Sequence, residues 1–401
     1  MRLYLLLPLL LSACATFQSR NGPFGAEVGV AFTTNGEVGH FANGIADPKS
    51  GRRVTIADPV RVASVSKMVT AIGVMRLVGE GKLDLSSDVS RWLGWNLRNP
   101  NFPDRPINLS MLLSHTSSVR EHDDDYVIPL GASLEDLMRD PRNWDSLHSP
   151  GSYFAYVNLN YPIIGSIIEK VTGTRFDLWM HANVLAPMKI DACFNWPTCS
   201  DEAVAHAVEL DSPTGKPVKD DLHGHRPDCP VFVKDGEPCD LTLWRLGENG
   251  ALFAPQGGLR ISAQGLARIG RMLLDGGTID GVRILSPGAV DALLTQVWRF
   301  DGSNGQTDGG FYCSAGNGTH QLPNRQPGCA DDIGTRGSVL VGHAGDAYNM
   351  KSGIWIDRAH QHGIAYFVTA VPDPAPKEPG SAYTAAEVHA FKRSYALLPR
   401  D

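Results

Sequence analysis

A serine and a lysine three residues apart are the first feature of this chain that could do chemistry. Residues 62–67 read V-A-S-V-S-K, and a strongly apolar run, M-V-T-A-I-G-V-M-R-L-V, follows them. On a helix, residues three apart share one face, with Cβ atoms about 5–6 Å apart, whereas adjacent residues point about 100° apart. The pairing predicted for Lys67 is therefore with Ser64 and not with Ser66.

A lysine in apolar surroundings can activate a serine. The serine hydroxyl is a poor nucleophile until a base removes its proton, and a desolvated lysine has a lowered pKa and can act as that base. The apolar run around Lys67 predicts such an environment. The pattern S-x-x-K is weak on its own, because a helix-capping serine followed by a solvent-facing lysine gives the same letters.

A second triplet, Y-V-N at residues 156–158, could complete the site. Tyr156 and Asn158 face the same way if the backbone is extended. A tyrosine beside a cation can share proton transfer with a lysine, and an asparagine amide can bind both the lysine and a substrate carbonyl. The alternative is that Tyr156 is an ordinary aromatic residue of a helical region.

A third triplet, H-A-G at residues 343–345, is predicted on a strand near the end of the chain. His343 followed by small residues would let an acyl substrate lie along the strand edge beside Gly345. The backbone amides of Asp346 and Ser64 could then stabilise a developing oxyanion. The alternative for His343 is a buried structural histidine.

The order and separation of these motifs resemble the serine β-lactamase and penicillin-binding-protein superfamily, which includes D-alanyl-D-alanine carboxypeptidases, class C β-lactamases and family VIII carboxylesterases. The resemblance extends over about residues 25–398. It includes the segments G-K-L-D-L-S-S-D-V, L-L-S-H-T-S-S-V, P-G-S-Y-F-A-Y-V-N-L-N-Y and G-G-L-R-I-S-A-Q-G-L-A-R-I-G.

The resemblance implies a role for each site residue. Ser64 would be the acylated nucleophile, Lys67 its base partner, and Tyr156 the residue that moves protons to and from the leaving group. Asn158 would position the substrate, and His343 would line the third wall. Either Lys67 or Tyr156 could be the acylation base.

The third motif departs from the pattern of β-lactamases, which usually carry lysine-threonine-glycine where this chain has H-A-G. A histidine and an alanine supply less positive charge and no hydroxyl, which is more similar to the peptidase and esterase branches. The letters K-S-G at residues 351–353 are an alternative third motif on the next predicted strand. No G-x-S-x-G elbow is present, which argues against an ordinary α/β-hydrolase.

Strand patterns at both ends of the chain must position these motifs. Alternating segments at 26–33 and 38–45, and three late runs at 338–342, 352–357 and 364–371, flank a helical middle. Helices are also predicted from the V-A-S-V-S-K segment to Val78, at 262–274 and at about 382–397. The expected fold class is α/β plus all-α, with an antiparallel sheet flanked by helices and an inserted helical lobe, as in β-lactamases and transpeptidases.

This pattern predicts two domains. Residues 24–85 and 255–398 would form the α/β domain, and residues 86–254 would form a helical domain with a disulfide-stapled surface insertion at 191–249. No metal or organic cofactor is expected.

The first residues predict export. Arg2 precedes a short apolar run that ends in L-S-A-C, which resembles a lipoprotein signal at residues 1–13 with Cys14 as the lipidated first residue. The alternative is ordinary secretion with cleavage at A-C-A. Lipidation would place the protein in the periplasm, anchored to the outer membrane.

The remaining six cysteines agree with an oxidising compartment. They fall in three local couples, which predict disulfides Cys193–Cys199, Cys229–Cys239 and Cys313–Cys329, although six cysteines allow 15 connectivities. A zinc cluster is the alternative, but no C-x-x-C pair supports it.

The charge of the chain disfavours a nucleic-acid partner, because 36 basic and 43 acidic residues give a formal net charge of −7 and no basic stripe is visible. A small-molecule or peptide substrate is expected: an acyl ester, a β-lactam or a D-amino-acid peptide. The predicted function is an exported serine hydrolase of peptidase or esterase type that cleaves an amide or ester. The alternatives are a true β-lactamase and a catalytically silent cell-envelope binding protein.

Overall fold

A seven-stranded antiparallel sheet forms the centre of the molecule, in the order β11-β12-β13-β14-β1-β2-β3. The computed structural model describes residues 25–122, 124–210, 223–335 and 337–399. The predicted signal segment, with Cys14, lies outside these residues. The main-sheet strands are β1 (Ala26–Thr33), β2 (Gly36–Asp47), β3 (Arg52–Arg53), β11 (His320–Leu322), β12 (Leu340–Ala347), β13 (Met350–Asp357) and β14 (His362–Val368).

Shorter strands form three smaller sheets beside it. They are β4 (Val60–Arg61), β5 (Cys193–Phe194), β6 (Leu259–Ile261), β7 (Thr278–Ile279), β8 (Val282–Arg283), β9 (Gln296–Arg299) and β10 (Ser314–Gly316). The sheet β4-β6-β5 lies next to the segment that leads into Ser64.

Ten α-helices surround the sheets in the described part of the chain. They are α1 (Val65–Gly79), α2 (Ser90–Leu93), α3 (Leu109–Leu113), α4 (Leu134–Leu137), α5 (Asn160–Thr172), α6 (Phe176–Met180), α7 (Asp201–Ala205), α8 (Ala263–Leu274), α9 (Pro287–Leu294) and α10 (Ala385–Tyr395). Within the described ranges, none of the helices combines the length and apolarity needed to cross a membrane.

The two ends of the chain meet in the main sheet, because β1 pairs with β14 along its whole length, from Glu27 opposite Val368 to Thr33 opposite His362. Helices cover both faces of this pair. On one face, Gly270 of α8 lies against the ring of Phe32, and on the other, Gly29 lies against Ser394 of α10. This two-sided cover explains why β1 is buried at nearly every position.

Helix α1 is buried on almost all sides, since twelve of its fifteen residues lie in the interior. A helix that is apolar all round belongs inside a protein, which accounts for the apolar run after Lys67. The helix ends near the predicted place, with Gly81 at φ +70°. Its first turn, at Val65, places Ser64 at the end of the helix that faces β12.

The segment 191–249 differs in part from the predicted surface insertion. Phe194 and Trp196 are 0 % and 2 % exposed, and β5 pairs with β6. The guanidinium carbon of Arg260 lies 4.1 Å from the Trp196 ring centroid. This first part is therefore packed against the body of the molecule, because its aromatic residues have partners there.

The six cysteines form Cys193–Cys199, Cys229–Cys239 and Cys313–Cys329. Their sequence separations are 6, 10 and 16 residues, so each bond closes one short loop. These are the three couples expected from the sequence.

Candidate active site

Ser64 is presented by a turn in an unfavourable backbone conformation. The preceding residue, Ala63, has φ +46°, which a residue with a Cβ adopts only at a cost. Two contacts hold the turn: the Val62 amide donates to the Leu259 carbonyl at 3.0 Å, and Gly345 of β12 packs directly on it. A Cβ on Gly345 would lie 2.3 Å from the Val62 carbonyl oxygen and 3.3 Å from the Ser64 nitrogen. Glycine is therefore required for β12 to approach the serine.

Lys67 is fully buried and makes three hydrogen bonds, as many as an ammonium group can donate. Its Nζ lies 3.0 Å from Ser64 Oγ, 2.8 Å from Asn158 Oδ1 and 2.9 Å from the Gln256 carbonyl oxygen. Burial lowers the pKa of Lys67 to about 7, against a smaller opposite effect of the Glu121 carboxylate. A substantial fraction of this amine is therefore neutral near pH 7.

Tyr156 is the second group on the serine, and its hydroxyl donates to Ser64 Oγ at 2.8 Å. Burial raises the pKa of this phenol above its ordinary value, although hydrogen bonds with Ser64 and Tyr312 oppose the shift. The phenol therefore stays protonated at neutral pH. Its ring is stacked between His115 and Tyr312, at centroid distances of 4.5 and 4.4 Å.

His115 shows what the L-L-S-H-T-S-S-V segment does in this chain. The residue has φ +58°, and its Nδ1 accepts from the Val157 amide at 3.1 Å. Its carbonyl oxygen accepts from the Ala155 amide at 3.0 Å. Burial, with a contribution from the charge of Lys67, holds the pKa of His115 well below its ordinary value. A neutral imidazole therefore fixes the Y-V-N backbone on both sides of Tyr156.

Glu121 is a site residue that the sequence analysis missed. Its two carboxylate oxygens accept from Asn158 Nδ2 at 3.0 Å and from the Leu159 amide at 2.8 Å. Glu121 thus orients the Asn158 side chain, whose oxygen then accepts from Lys67. Its only sequence signal was its position two residues after the L-L-S-H-T-S-S-V segment, which ends at Val119.

Tyr312 is the other residue that was missed. It lies in a loop-rich stretch next to Cys313, where no motif marks it. Its side chain is partly buried, stacks on the Tyr156 ring and lines the cavity beside Ser64.

The third motif lies on β12, as expected, but His343 does not line the cavity. Its side chain belongs to a residue that is 2 % exposed, and its ring centroid is 4.6 Å from that of His320. Burial, with contributions from His320 and Lys67, holds the pKa of His343 well below its ordinary value, so this imidazole is neutral. His343 thus lies behind the cavity wall in this structure, as in the alternative of a buried structural histidine, and its contact with substrate stays a prediction. Gly345 and Asp346 do line the cavity.

The alternative motif K-S-G lies on β13, next to H-A-G. Ser352 pairs with Gly345 across the strands, and its hydroxyl donates to the Val62 carbonyl at 2.9 Å. Lys351 forms an ion pair with Asp346 and lines the far side of the cavity. H-A-G is therefore the motif whose glycine contacts the serine turn, and K-S-G supports it from the next strand.

These side chains surround a cleft of about 460 Å³ between the sheet and the helical middle of the chain. Ser64, Tyr156, Asn158, Gly345 and Asp346 all line it. Chemically, the cleft presents a hydroxyl held between a desolvated amine and a protonated phenol, which is an arrangement suited to nucleophilic attack and proton transfer.

Solved structures share this fold. A penicillin-binding protein homologue from Pyrococcus abyssi matches with a TM-score of 0.64 and 19% identity, over 93% of this chain and 73% of its own. A D-amino acid amidase from Ochrobactrum anthropi SV3 matches with a TM-score of 0.62 and 19% identity, over 94% of each chain. A D-alanine carboxypeptidase from Burkholderia cenocepacia gives 0.61 and 17% identity, over 94% of this chain and 95% of its own.

Two curated proteins are similar over shorter parts. Penicillin-binding protein 4 of Amycolatopsis lactamdurans is 26% identical over 273 residues, which are 67% of this chain and 65% of that protein. Protein flp of Staphylococcus aureus (strain N315) is 30% identical over 129 residues, 32% of this chain. The match spans only 26% of the length of that protein.

A family model also matches most of the chain. Residues 24–388 fit the model described as Beta-lactamase, and together with the shared fold this confirms the resemblance and the fold class that the motifs predicted. Since the match extends over most of the 401 residues, the chain belongs to the β-lactamase family, whose members are serine hydrolases.

Proposed function

We propose that this protein is an exported serine hydrolase of peptidase or esterase type, which cleaves an amide or ester through an acyl-enzyme on Ser64. The observation that supports it most directly is the position of Ser64 Oγ, 3.0 Å from the Lys67 amine and 2.8 Å from the Tyr156 hydroxyl. A hydroxyl held by two such groups is in place for deprotonation and attack.

The two partners divide the proton chemistry between them. Because the pKa of Lys67 is lowered to about 7 and that of Tyr156 is raised, we assign Lys67 as the base for acylation. Its neutral amine takes the Ser64 proton as Oγ attacks the substrate carbonyl carbon. Tyr156 then gives its proton to the departing nitrogen or oxygen and regains one from the Lys67 ammonium. Water hydrolyses the acyl-enzyme by the reverse sequence, with the same proton carriers.

The oxyanion of the tetrahedral intermediate needs hydrogen-bond donors directed at the former carbonyl oxygen. The close approach of Gly345 to the Ser64 nitrogen supports the amides of Ser64 and Asp346 in this role. Asn158 would position the substrate carbonyl group, because Glu121 and Lys67 fix the orientation of the Asn158 side-chain amide.

Two observations favour the peptidase and esterase branches over a true β-lactamase. First, the neutral, buried His343 supplies no cation at the position where a lysine would attract a substrate carboxylate. Second, the similar solved structures include a D-amino acid amidase and a D-alanine carboxypeptidase. The substrate class we propose is therefore an acyl ester or a D-amino-acid amide or peptide.

Export is proposed from the L-S-A-C segment and the three disulfides. Disulfides that close short loops persist in oxidising compartments. The proposed location is the periplasm, with a lipid anchor on Cys14 at the outer membrane.

Labelling with active-site probes tests the hydrolase proposal. The protein and its Ser64→Ala variant are incubated with a fluorescent fluorophosphonate and a fluorescent β-lactam, and the modified residue is found by mass spectrometry. We expect a label on Ser64 of the wild type and none on Ser64→Ala. The matched control is Ser66→Ala, which removes a buried hydroxyl that accepts from the Leu259 amide at 3.0 Å and should keep the label. An unlabelled wild type would instead favour a catalytically silent binding protein.

A further inference from the structure

The hairpin that joins β13 and β14 carries three side chains of types that bind metal ions. It reads D-R-A-H-Q-H at residues 357–362. Asp357 is the last residue of β13 and His362 is the first of β14, and the two are paired across the strands. Directly opposite residues of an antiparallel pair point to the same face of the sheet, so the carboxylate and the imidazole meet there.

This group of side chains is far from the catalytic cleft. On β13, Ser352 is the residue that pairs with Gly345 beside the serine turn, and Asp357 follows five residues later. At about 3.4 Å per residue, five residues of strand extend over about 17 Å. The hairpin therefore belongs to the opposite end of the sheet and takes no part in the chemistry proposed for Ser64.

One carboxylate oxygen of Asp357 faces both imidazoles. Its Oδ2 atom lies 2.8 Å from His360 Nδ1 and 3.8 Å from His362 Nε2, and the three atoms all lie within 4.8 Å of one another. In a tetrahedral zinc site, with metal–ligand bonds of about 2.0–2.1 Å, neighbouring ligand atoms are about 3.3 Å apart. Side-chain shifts of about 1 Å would therefore let all three atoms bind one ion.

The carboxylate of Asp357 is held in place by the turn itself. Its Oδ1 atom accepts from the backbone amides of Ala359 and His360 at 3.0 and 3.1 Å, which leaves Oδ2 directed at the two rings. Burial by itself would raise the pKa of Asp357, but hydrogen bonds with His360 and Ser338 outweigh burial and hold this pKa below its ordinary value. An ionised carboxylate that is 1 % exposed therefore lies behind the two imidazoles, and a buried anion is stabilised by a cation.

The two histidines differ in their access to solvent. The side chain of His362 is 14 % exposed and that of His360 is 48 % exposed. Their rings are stacked, with centroids 5.6 Å apart. Solvent therefore reaches the group from the His360 side, which gives a metal ion a route to the buried carboxylate.

Contacts of the same group connect the hairpin to the end of α10. The His362 ring packs edge-on against the ring of Tyr395, the last residue of α10, at a centroid distance of 5.8 Å. Ser338, which hydrogen-bonds Asp357, lies 3.3 Å from the Tyr395 hydroxyl through its own hydroxyl. An ion that fixes the His362 ring would therefore also fix the contact between the sheet and α10.

We propose that Asp357, His360 and His362 form a zinc-binding site that fastens the β13–β14 hairpin to the end of α10. Two imidazoles and one carboxylate suit Zn²⁺, whereas Ca²⁺ and Mg²⁺ prefer sites made of oxygen atoms. Three protein ligands leave one position of a tetrahedral ion for water. The ion replaces the proton between His360 Nδ1 and Asp357 Oδ2, which moves to His360 Nε2 or to solvent. This site goes beyond the proposed hydrolase function and does not rest on it.

Zinc titration of the full-length protein tests the proposal. The protein is purified without a polyhistidine tag and freed of metal with a chelator, and zinc binding is measured by competition with a chromophoric chelator. We expect one zinc ion at this site and a rise in Tm of about 3 °C at a zinc concentration 100 times the Kd. Mg²⁺ at the same concentration should leave Tm unchanged.

Variants of the hairpin locate the ion. His360→Ala should weaken zinc binding about 100-fold or more and abolish the rise in Tm. Because His360 is the most exposed of the three ligands, the metal-free variant should unfold at the wild-type temperature. Asp357→Asn, which keeps the size of the side chain, should also lose the rise. The matched control is His223→Ala, since His223 belongs to a different group of possible ligands, with Asp47 and Glu209.

The outcomes decide between a metal site and an ordinary ion pair of Asp357 with His360. A wild-type protein that binds no zinc, or shows no rise in Tm, overturns the proposal. So does an unchanged affinity in His360→Ala, or a loss of affinity in His223→Ala, because the ion would then lie elsewhere. Labelling of Ser64 by the fluorophosphonate should be equal with and without zinc. A label that required zinc would place the ion in the catalytic cleft and would also overturn the hairpin site.

Discussion

Behind Ser64, Lys67 and His115 are buried and hydrogen-bonded, whereas a neighbouring cavity of about 630 Å³, the side chamber, is bordered by exposed apolar residues such as Val127 and Phe232. Lys67 and His115 are 0 % and 3 % exposed, but Val127 and Phe232 are 38 % and 49 % exposed. Buried polar groups hold a fixed geometry because losing a partner costs more than it does in water. Exposed apolar loops can change shape and composition at little cost. The comparison indicates that the geometry of the reacting groups is fixed on one side, whereas the side chains that border the chamber are free to vary.

Removal of the buried Lys67 amine should give the largest loss of activity. Lys67→Met keeps the apolar stem but removes the proposed base, so the acylation rate should fall by about 10²–10⁴-fold. Stopped-flow measurement of the burst of nitrophenolate released from a 4-nitrophenyl ester checks this. Lys351→Met is the control, because Lys351 lines the same cleft but is paired with Asp346. An equal loss in both variants would contradict the assignment of Lys67 as the base.

The phenol variants should give the next largest effect. Tyr156→Phe removes the hydroxyl that donates to Ser64 Oγ and should lower cleavage of an amide by about 10²-fold or more, since an amine leaving group needs a proton. Activated nitrophenyl esters should be affected much less, because nitrophenolate leaves without one. Tyr312→Phe keeps the stacked ring and should change either rate only slightly. Equal losses on amides and activated esters would rule out Tyr156 as the donor to the leaving group.

The pH dependence of acylation tests the lowered pKa of Lys67 and the effect of the Glu121 charge on it. Because the pKa of Lys67 is lowered to about 7, the acylation rate should rise with pH through about 7 as the amine loses its proton. Glu121→Gln removes a negative charge that raises this pKa, so the midpoint of the profile should move to lower pH. Burst rates between pH 5 and 9 provide the measurement, with Asp136→Asn as an exposed control. An upward shift or a profile without a limb near neutral pH would contradict the interpretation.

The smallest effect on activity is expected from removal of the disulfide Cys229–Cys239 in the insertion. Replacement of Cys229 and Cys239 by serine should lower the free energy of unfolding by about 2 kcal/mol, measured by chemical denaturation. Hydrolysis of a 4-nitrophenyl ester should fall by no more than about twofold, because the disulfide closes a loop of the insertion and contacts none of Ser64, Lys67 and Tyr156. If hydrolysis fell as far as in Lys67→Met, the geometry at Ser64 would depend on the chamber wall, and the contrast between the two sides would not hold.

The sequence predicted the catalytic side well because its signals are local. The spacing of Ser64 and Lys67 depends on one helix, and the apolar run after them indicates burial without knowledge of the fold. The strands at 26–33 and 364–371 could also be found from their pattern, as could the helix capped by Ser262, whose hydroxyl accepts from the Gly265 amide at 3.0 Å.

The remaining features depend on contacts between distant segments. Glu121 and Tyr312 become site residues only because the fold brings them to Asn158 and Tyr156. His343 has a residue type that is common in active sites. In the fold, however, it is buried with its ring against that of His320, which is 23 positions away in sequence. Helix α9 had a usable local signal that was overlooked: Ser286 caps it and Pro287 occupies its first turn.

The three contacts of the Lys67 amine join parts of the chain that are far apart in sequence. Asn158 is 91 residues away and Gln256 is 189 residues away, so one nitrogen connects the nucleophile's helix to both sides of the cleft. A neutral amine has two N–H groups and an ammonium has three. When the amine is neutral, its two N–H groups can keep the links to Asn158 and Gln256 while its lone pair accepts from the Ser64 hydroxyl. The two sides of the cleft therefore stay connected throughout turnover, and only the direction of the bond to Ser64 alternates.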